Sequence, residues 1–304
     1  EQMHVDQALA GSLQGRSAPA ITKEQRDQLV ITSFMNEAIA SSMLEGAATT
    51  RREAMKLLRS GRNANDSHER MIVNNYRGMQ FIRDCLERDL TSDLLLELHS
   101  VLTEGTFEDP NDAGRYRISG EPVCVVDTYG DVLHDPPDAD LLPGRMQTLF
   151  KFANGDSPED GFVHPLVRAI AIHFKIGYDH PFADGNGRTA RALVYWSLLR
   201  RGYWLFEFLP VSELIRKSAT SYGRSYLYTE TDDFDLTYFI HYHVGITRRA
   251  RQGFASYLEA KQQQQQRAKQ IFRDAGLNHR QHALLIHAMG RPGKGFTVKE
   301  HQNS

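Results

Sequence analysis

Two apolar helical patterns converge on a short polar stretch in the second half of the chain. Val163, Leu166, Val167, Ile170 and Phe174 precede it, and Ala190, Leu193, Val194 and Leu198 follow it. Between them runs His180-Pro-Phe-Ala-Asp-Gly-Asn-Gly-Arg-Thr-Ala-Arg191. Helical spacing on both sides makes the stretch a loop between two helices. The chain is thereby drawn toward a helical fold that carries its polar chemistry at one helix–helix turn. Gly185, Asn186 and Gly187 lead into the second helix, where unpaired backbone N–H groups and the helix dipole favour an anion.

The residue types in this loop suit phosphate chemistry. His180, as a neutral imidazole, can take a proton from an attacking hydroxyl. Asp184 offers hard carboxylate oxygens to Mg²⁺, which takes one or two carboxylates and keeps waters elsewhere; its alternative role is a helix cap. Gly185 and Gly187 lack Cβ atoms, so the backbone can close on a phosphate. Arg188 and Arg191, three apart on the first turn, are expected to reach one polyphosphate together. Cations at a helix N-terminus oppose the macrodipole, which points to an anionic partner. Phe182 is expected to anchor the loop in the core.

Elsewhere the chain reads as helices: from Lys23 through Glu45 with Gly46 as its stop, then over 51–58, 67–86, 91–102, from 138, over 211–229, and from 236 onward. Leu94, Leu95, Leu98 and Leu102 make one apolar stripe. The exception lies between Pro110 and Pro137. There Val123–Val126 and Val132-Leu133 flank Asp127-Thr-Tyr-Gly130, a hairpin signal in a helical chain. It is either a surface excursion joining two helices or a flap whose strand edges receive an extended peptide. Residues 1 to about 22 have no sustained period and read as a polar arm.

The five-glutamine run Gln262–Gln266 fits the exposed end of a long helix or a linker, and a domain boundary is expected near residue 270. From Lys261 to the end, eight basic residues stand against Asp274 and Glu300, so this tail carries +6 and the remainder −8. Its pattern suggests an incomplete winged helix over 271–304, stopping before a recognition helix, so DNA is a partner only if the domain is completed beyond this chain. The whole chain is nearly neutral, with 36 Lys plus Arg against 38 Asp plus Glu, which gives no general case for nucleic acid or acidic membranes. Cys85 and Cys124 are far apart and read as reduced thiols. No run of about 18 apolar residues occurs, so a cytoplasmic protein without a membrane span is expected. His164, His173, His241 and His243 read as structural; His241 and His243, two apart on a helix, point to different faces.

The twelve-residue stretch resembles the Fic (Fic/Doc) family motif H-x-F-x-[D/E]-G-N-G-R-x-x-R at every fixed position. The resemblance extends over about residues 30–260, including Gly114-Arg-Tyr-Arg117 and the aromatic stretch Tyr222–Tyr228. It implies an all-α fold with a β-hairpin flap, organised as an N-terminal helical region (1–110) and a catalytic core (111–260, flap about 122–135). It implies a protein adenylyltransferase, moving AMP from ATP to a Ser, Thr or Tyr hydroxyl of a target docked on the flap, or of itself, with a homodimer as a further possibility. His180 would be the base, Asp184 the Mg²⁺ ligand, Gly185, Asn186, Gly187 and Arg188 the phosphate cradle, Arg191 the γ-phosphate partner, and Tyr226 part of the nucleobase pocket. Ser41-Ser-Met-Leu-Glu45-Gly46 resembles the family's inhibitory motif [S/T]-x-x-x-E-[G/N], in the subgroup whose inhibitory helix (about 24–46 here) precedes the core. Glu45 is then expected to pair with Arg191. The alternatives are a de-AMPylase, transfer of another phosphate-containing group, and a nucleotide-sensing DNA-binding regulator.

Overall fold

The computed structural model describes residues 23–126, 129–155 and 161–274, with 278, 280–281 and 284–285. The expected N-terminal arm and nearly all of the winged-helix-like segment lie outside the described residues, as do Asp127 and Thr128 of the hairpin turn.

The architecture is all-α with a single two-stranded excursion among the described residues. The helices are α1 (Lys23–Leu44), α2 (Arg51–Ser60), α3 (Ser67–Asp84), α4 (Ser92–Thr103), α5 (Leu142–Asn154), α6 (Pro165–Asp179), α7 (Asn186–Arg200), α8 (Ser212–Lys217), α9 (Ala219–Thr231) and α10 (Thr237–Asp274). Strands β1 (Val125–Val126) and β2 (Val132–His134) pair antiparallel between α4 and α5, with an irregularity in register between Val125 and Val126. Among the described residues no helix is long and apolar enough to cross a membrane.

Short polar side chains fix three of the helix starts. Thr50, Asp66 and Thr91 each accept a hydrogen bond from the backbone N–H three residues on. α7 is the axis of the molecule. Its residues from Arg188 to Leu199 are all buried, which a helix achieves only when it is surrounded on every side. α6 packs along it, α3 and α4 cover other faces, and α1 lies across α3, α8 and the 3₁₀ turn Trp204–Phe208. The resulting core runs from Val30 and Phe34 through Leu95, Leu98 and Leu102 to Phe182, Trp196 and Phe239.

One expectation changes. The helix read over 211–229 is two helices, broken at Ser218, whose φ of −130° and ψ of 39° are non-helical. Ser218 Oγ bonds the Leu214 carbonyl and lies 2.8 Å from the Tyr242 hydroxyl, a local polar alternative to helix continuation. Of the two readings of the glutamine run, linker or exposed end of a long helix, the second holds: α10 carries the run in its last turns and ends at Asp274.

Candidate active site

The polar loop joins α6 to α7, as its flanking periodicities require. His180 closes α6 in the left-handed conformation, φ 44°. Its Nδ1 lies 2.7 Å from the Gly177 carbonyl, which can only accept, so Nδ1 carries the proton and Nε2 presents a lone pair. That is the tautomer a general base needs. Burial depresses the His180 pKa below its ordinary value, with further depression from His134 and Arg117; Gly177 and Glu45 pull the other way. The imidazole is therefore neutral at physiological pH.

Neighbouring elements hold the loop in place. Phe182, fully buried, stacks on His99 with ring centroids 3.7 Å apart and 6° between planes. Asn186 is buried and clasps the Phe182 backbone from both sides, accepting from its N–H at 3.0 Å and donating to its carbonyl at 2.8 Å. Its side chain thus shapes the turn. His99 Nδ1 accepts from Gly114 N–H at 3.0 Å, so Nε2 carries the proton and donates to the Asp184 carbonyl at 2.9 Å. Arg117 donates to the carbonyls of His180 at 2.7 Å, Asp179 at 3.3 Å and Pro137, and its own N–H bonds Pro181 O at 2.9 Å. The loop is thereby tied to the base of the hairpin. Buried Asp179 accepts from Arg145 at 2.6 Å and from Lys175.

Asp184 projects outward with its side chain 57% exposed, accepting from Gly185 N–H at 2.6 Å and from Arg188 at 2.7 Å. Gly185 starts α7 at φ +84°, and a Cβ there would press on Thr103 at 2.8 Å. The N–H groups of the first turn of α7 have no helical acceptor, which leaves an anion-binding concavity. The two arginines diverge. Arg188 is buried beneath the loop, bonding Leu102 O at 3.1 Å as well as Asp184.

Arg191 faces α1. Its Nε donates to Ser41 Oγ at 3.0 Å, and its Nη2 donates to Ser41 O at 3.3 Å and to Glu45 Oε1 at 2.6 Å. The expected pair is present. Gly46 follows at φ +87°, turning the chain behind the carboxylate. Gly187 is where a Cβ would collide with Glu45 Oε1, so the glycine admits an anionic oxygen to the mouth of α7, and Glu45 supplies it. Burial works against the charge on Arg191, but Glu45, Tyr222 and Glu37 outweigh it and raise the pKa.

The hairpin is pinned by a residue that the motif does not include. His134 is within 2.7 Å of the Tyr178 carbonyl and 2.8 Å of Glu230 Oε2, two acceptors that ask for a proton on both nitrogens. Burial lowers its pKa, and Glu230 and Tyr178 more than compensate, giving a net rise. Its ring lies 6.4 Å from that of His180. Beyond it the strands expose Val126, Val132 and Leu133. Tyr226 stacks on Phe174 at 5.3 Å, and its hydroxyl fills the place of a Cβ on Gly177. His99 and His134 were missed in the sequence. The available signal was a histidine on the apolar face of the Leu94–Leu102 stripe and one directly after the second β-prone run.

Residues 89–198 match the model of the Fic/DOC family. They form a Fic/DOC family domain. Over 114 residues the chain is 36% identical to the protein adenylyltransferase Fic of Nematostella vectensis, covering 38% of this chain and 24% of that protein. Over 167 residues it is 30% identical to the protein adenylyltransferase Fic of Drosophila melanogaster, covering 53% of this chain and 31% of the relative. The chain therefore spans less than a third of the length of these curated relatives. Among solved structures, a Fic family protein from Desulfovibrio desulfuricans G20 superposes with a TM-score of 0.66 at 23% identity, over 100% of this chain and 83% of that one. A Fic domain containing signaling protein from Bacteroides thetaiotaomicron gives 0.66 at 21% identity, over 82% and 92%. These two likenesses establish a shared fold.

Proposed function

We propose that this protein transfers AMP from ATP to a hydroxyl side chain of a protein, and that Glu45 restrains the reaction by occupying Arg191. The observation that carries the reading is the arrangement at the mouth of α7. A carboxylate from α1 sits on a buried arginine, beside a free anion-binding helix N-terminus and a histidine whose Nε2 is unprotonated. The adenylyltransferase names of the relatives supply the reaction class.

In the reaction, His180 Nε2 takes the proton of the target hydroxyl. The oxygen forms a bond to the α-phosphorus, the bond between that phosphorus and the β-phosphate oxygen breaks, and pyrophosphate departs. The first-turn N–H groups of α7 receive the phosphate oxygens, Arg191 receives the γ-phosphate once Glu45 withdraws, and Arg188 holds Asp184 in position. Asp184 is the fitting Mg²⁺ ligand: one outward carboxylate, with no cluster of three metal-binding side chains among the described residues, suits a cation held largely by phosphates and water. Mg²⁺ would neutralise phosphate charge there. The exposed hairpin strands suit an extended target segment paired through its backbone.

The test uses the purified chain with labelled ATP and Mg²⁺, alone and in cell lysate. Glu45→Gly should raise labelling, and His180→Ala should lower it about 10²- to 10⁴-fold, the usual worth of a general base. Mass spectrometry should find one AMP on a Ser, Thr or Tyr. Equal labelling by the wild type and the Glu45 variant would sink the restraint.

A further inference from the structure

His134 and His180 stand with ring centroids 6.4 Å apart, and their hydrogen bonds set them to different charges. His180 has one acceptor, the Gly177 carbonyl at Nδ1, and needs one proton. His134 has two. Its Nε2 lies 2.7 Å from the Tyr178 carbonyl and its Nδ1 lies 2.8 Å from Glu230 Oε2. A neutral imidazole donates from one nitrogen only, so without the second proton a lone pair would face one of these oxygens. The imidazolium satisfies both.

The surroundings favour the cation. Tyr178 O is among the last four carbonyls of α6, which have no donor within the helix, and Glu230 lies in the last turn of α9, where the helix dipole opposes a carboxylate. A positive charge at the end of β2 answers both helix termini. The side chains of His134 and Glu230 are 9% and 17% exposed, so solvent screens the pair little. Asp135 adds a further negative charge. The Tyr178 ring lies 4.9 Å from the imidazole, and its phenol, held above its ordinary pKa mainly by burial, is uncharged. Beyond that ring lie Arg145, 5.5 Å from its centre, and Asp179, which Arg145 and Lys175 already hold. Burial lowers the His134 pKa, but the bonds to Glu230 and Tyr178 outweigh it, whereas burial leaves His180 below its ordinary value.

We infer that protonated His134 is a positioning residue: held by Glu230 and the end of α6, it seats the hairpin beside His180, and loss of its proton sets the alkaline limit of target modification. Above that limit the base is still free, but the strands that receive the target have lost their seat. A group whose pKa is raised on folding contributes fully below the ordinary 6.5 and fades as pH rises through the elevated value. The limit on modification rests on the reaction proposed above. The proton-dependent seat does not.

The first arm of the test examines the seat in the full chain. Long-range proton–nitrogen spectra at pH 6 should show both ring nitrogens of His134 protonated, and a neutral ring there overturns the proposal. A two-stranded hairpin is marginal by itself, so hydrogen exchange at Val125–Val126 and Val132–His134 reports how firmly it is seated. Corrected for intrinsic exchange rates, protection should fall about tenfold as His134 loses its proton, the low end for a charge-assisted hydrogen bond. Glu230→Gln has the same shape and can turn its amide to donate to Nδ1 while Nε2–H stays on Tyr178 O, so a neutral ring is satisfied as well. Its hairpin should remain protected throughout; a wild-type decline in the variant, or a flat profile in the wild type, overturns the proposal. The second arm follows labelling from ATP and Mg²⁺ in lysate by the chain carrying Glu45→Gly. Labelling should decline on the alkaline side, and adding Glu230→Gln should abolish that decline. An unchanged decline overturns the positioning role. Absence of labelling by the Glu45→Gly chain at every pH would instead sink the proposed reaction, while exchange and spectra still judge the seat.

Discussion

His99 shows how one buried side chain couples the site to solution conditions. It is fully buried, stacked on Phe182, and donates through Nε2 to the loop while accepting through Nδ1 from Gly114. Protonation of Nδ1 would destroy the second bond and bury a charge beside Arg188. Burial, the largest cause, drives its pKa from the ordinary 6.5 down to about 4. A group depressed in this way favours the folded state when neutral. Its contribution is complete above pH 6.5, declines as pH falls, and is lost by about pH 4. The shift corresponds to about 3 kcal/mol. Urea denaturation should show stability falling by that order between pH 7 and 4. His99→Gln, which can make both hydrogen bonds without titrating, should flatten that window at a cost of about 1–2 kcal/mol at pH 7 from the lost ring stack. An unaltered pH slope in the variant would remove His99 from the account.

At the level of elements, α1 is held by more than its terminal pair. Eight residues before Glu45, buried Glu37 accepts from Ser212 N–H at 3.0 Å and from the Ser212 hydroxyl, bracing the helix against the start of α8. Asn75 of α3 donates to Ser42 Oγ at 2.7 Å on another side. If α1 acts as one rigid unit, loosening this brace should weaken the hold of Glu45 on Arg191. Glu37→Ala leaves both Ser212 donors without their acceptor, at a cost of about 1–3 kcal/mol. It should raise labelling by ATP above wild type, though less than Glu45→Gly does. Labelling at the wild-type level would show that Glu45 is positioned locally. Burial raises the Glu37 pKa above its ordinary 4.5. Its contribution to docking is thus fully present below pH 4.5 and fades as pH rises through the elevated value. The position of the polar loop was legible because its residues are adjacent in sequence, and the Glu45–Arg191 pair was legible because both ends belong to recognisable motifs. The Glu37–Ser212 brace spans 175 positions, with neither end in any pattern, so only packing reveals it. The divergence of Arg188 from Arg191 was equally hidden, since helical spacing sets where side chains start and neighbouring carbonyls decide where they end.

Across the whole molecule, α10 passes from the packed core into a stretch whose described side chains are mostly exposed. Its first half enters the core: Phe239 and Ile246 are buried, His243 meets His173, and Phe254 stacks on Phe208 at 5.3 Å. Beyond Phe254 the described side chains are mostly exposed, and the helix continues through the glutamines with little to pack against. The sequence pattern gave the long helix, because Phe239, Val244, Ile246, Phe254 and Leu258 keep the period. The glutamines extend it without adding an apolar signal, because glutamine is a good helix former that needs no packing partner. A helix segment without tertiary contacts is marginal by itself and opens without the core. Proline should separate the two halves. Gln263→Pro removes a backbone donor in the projecting half, so helical signal should fall while the melting temperature stays within about 2 °C. Ile246→Pro makes the same backbone change inside the core and also removes a buried side chain. It should cost upward of about 3 kcal/mol and lower the melting temperature by several degrees or prevent folding. Equal destabilisation by the two prolines would mean that the distal half of α10 is packed, and that the cooperative unit extends to Asp274.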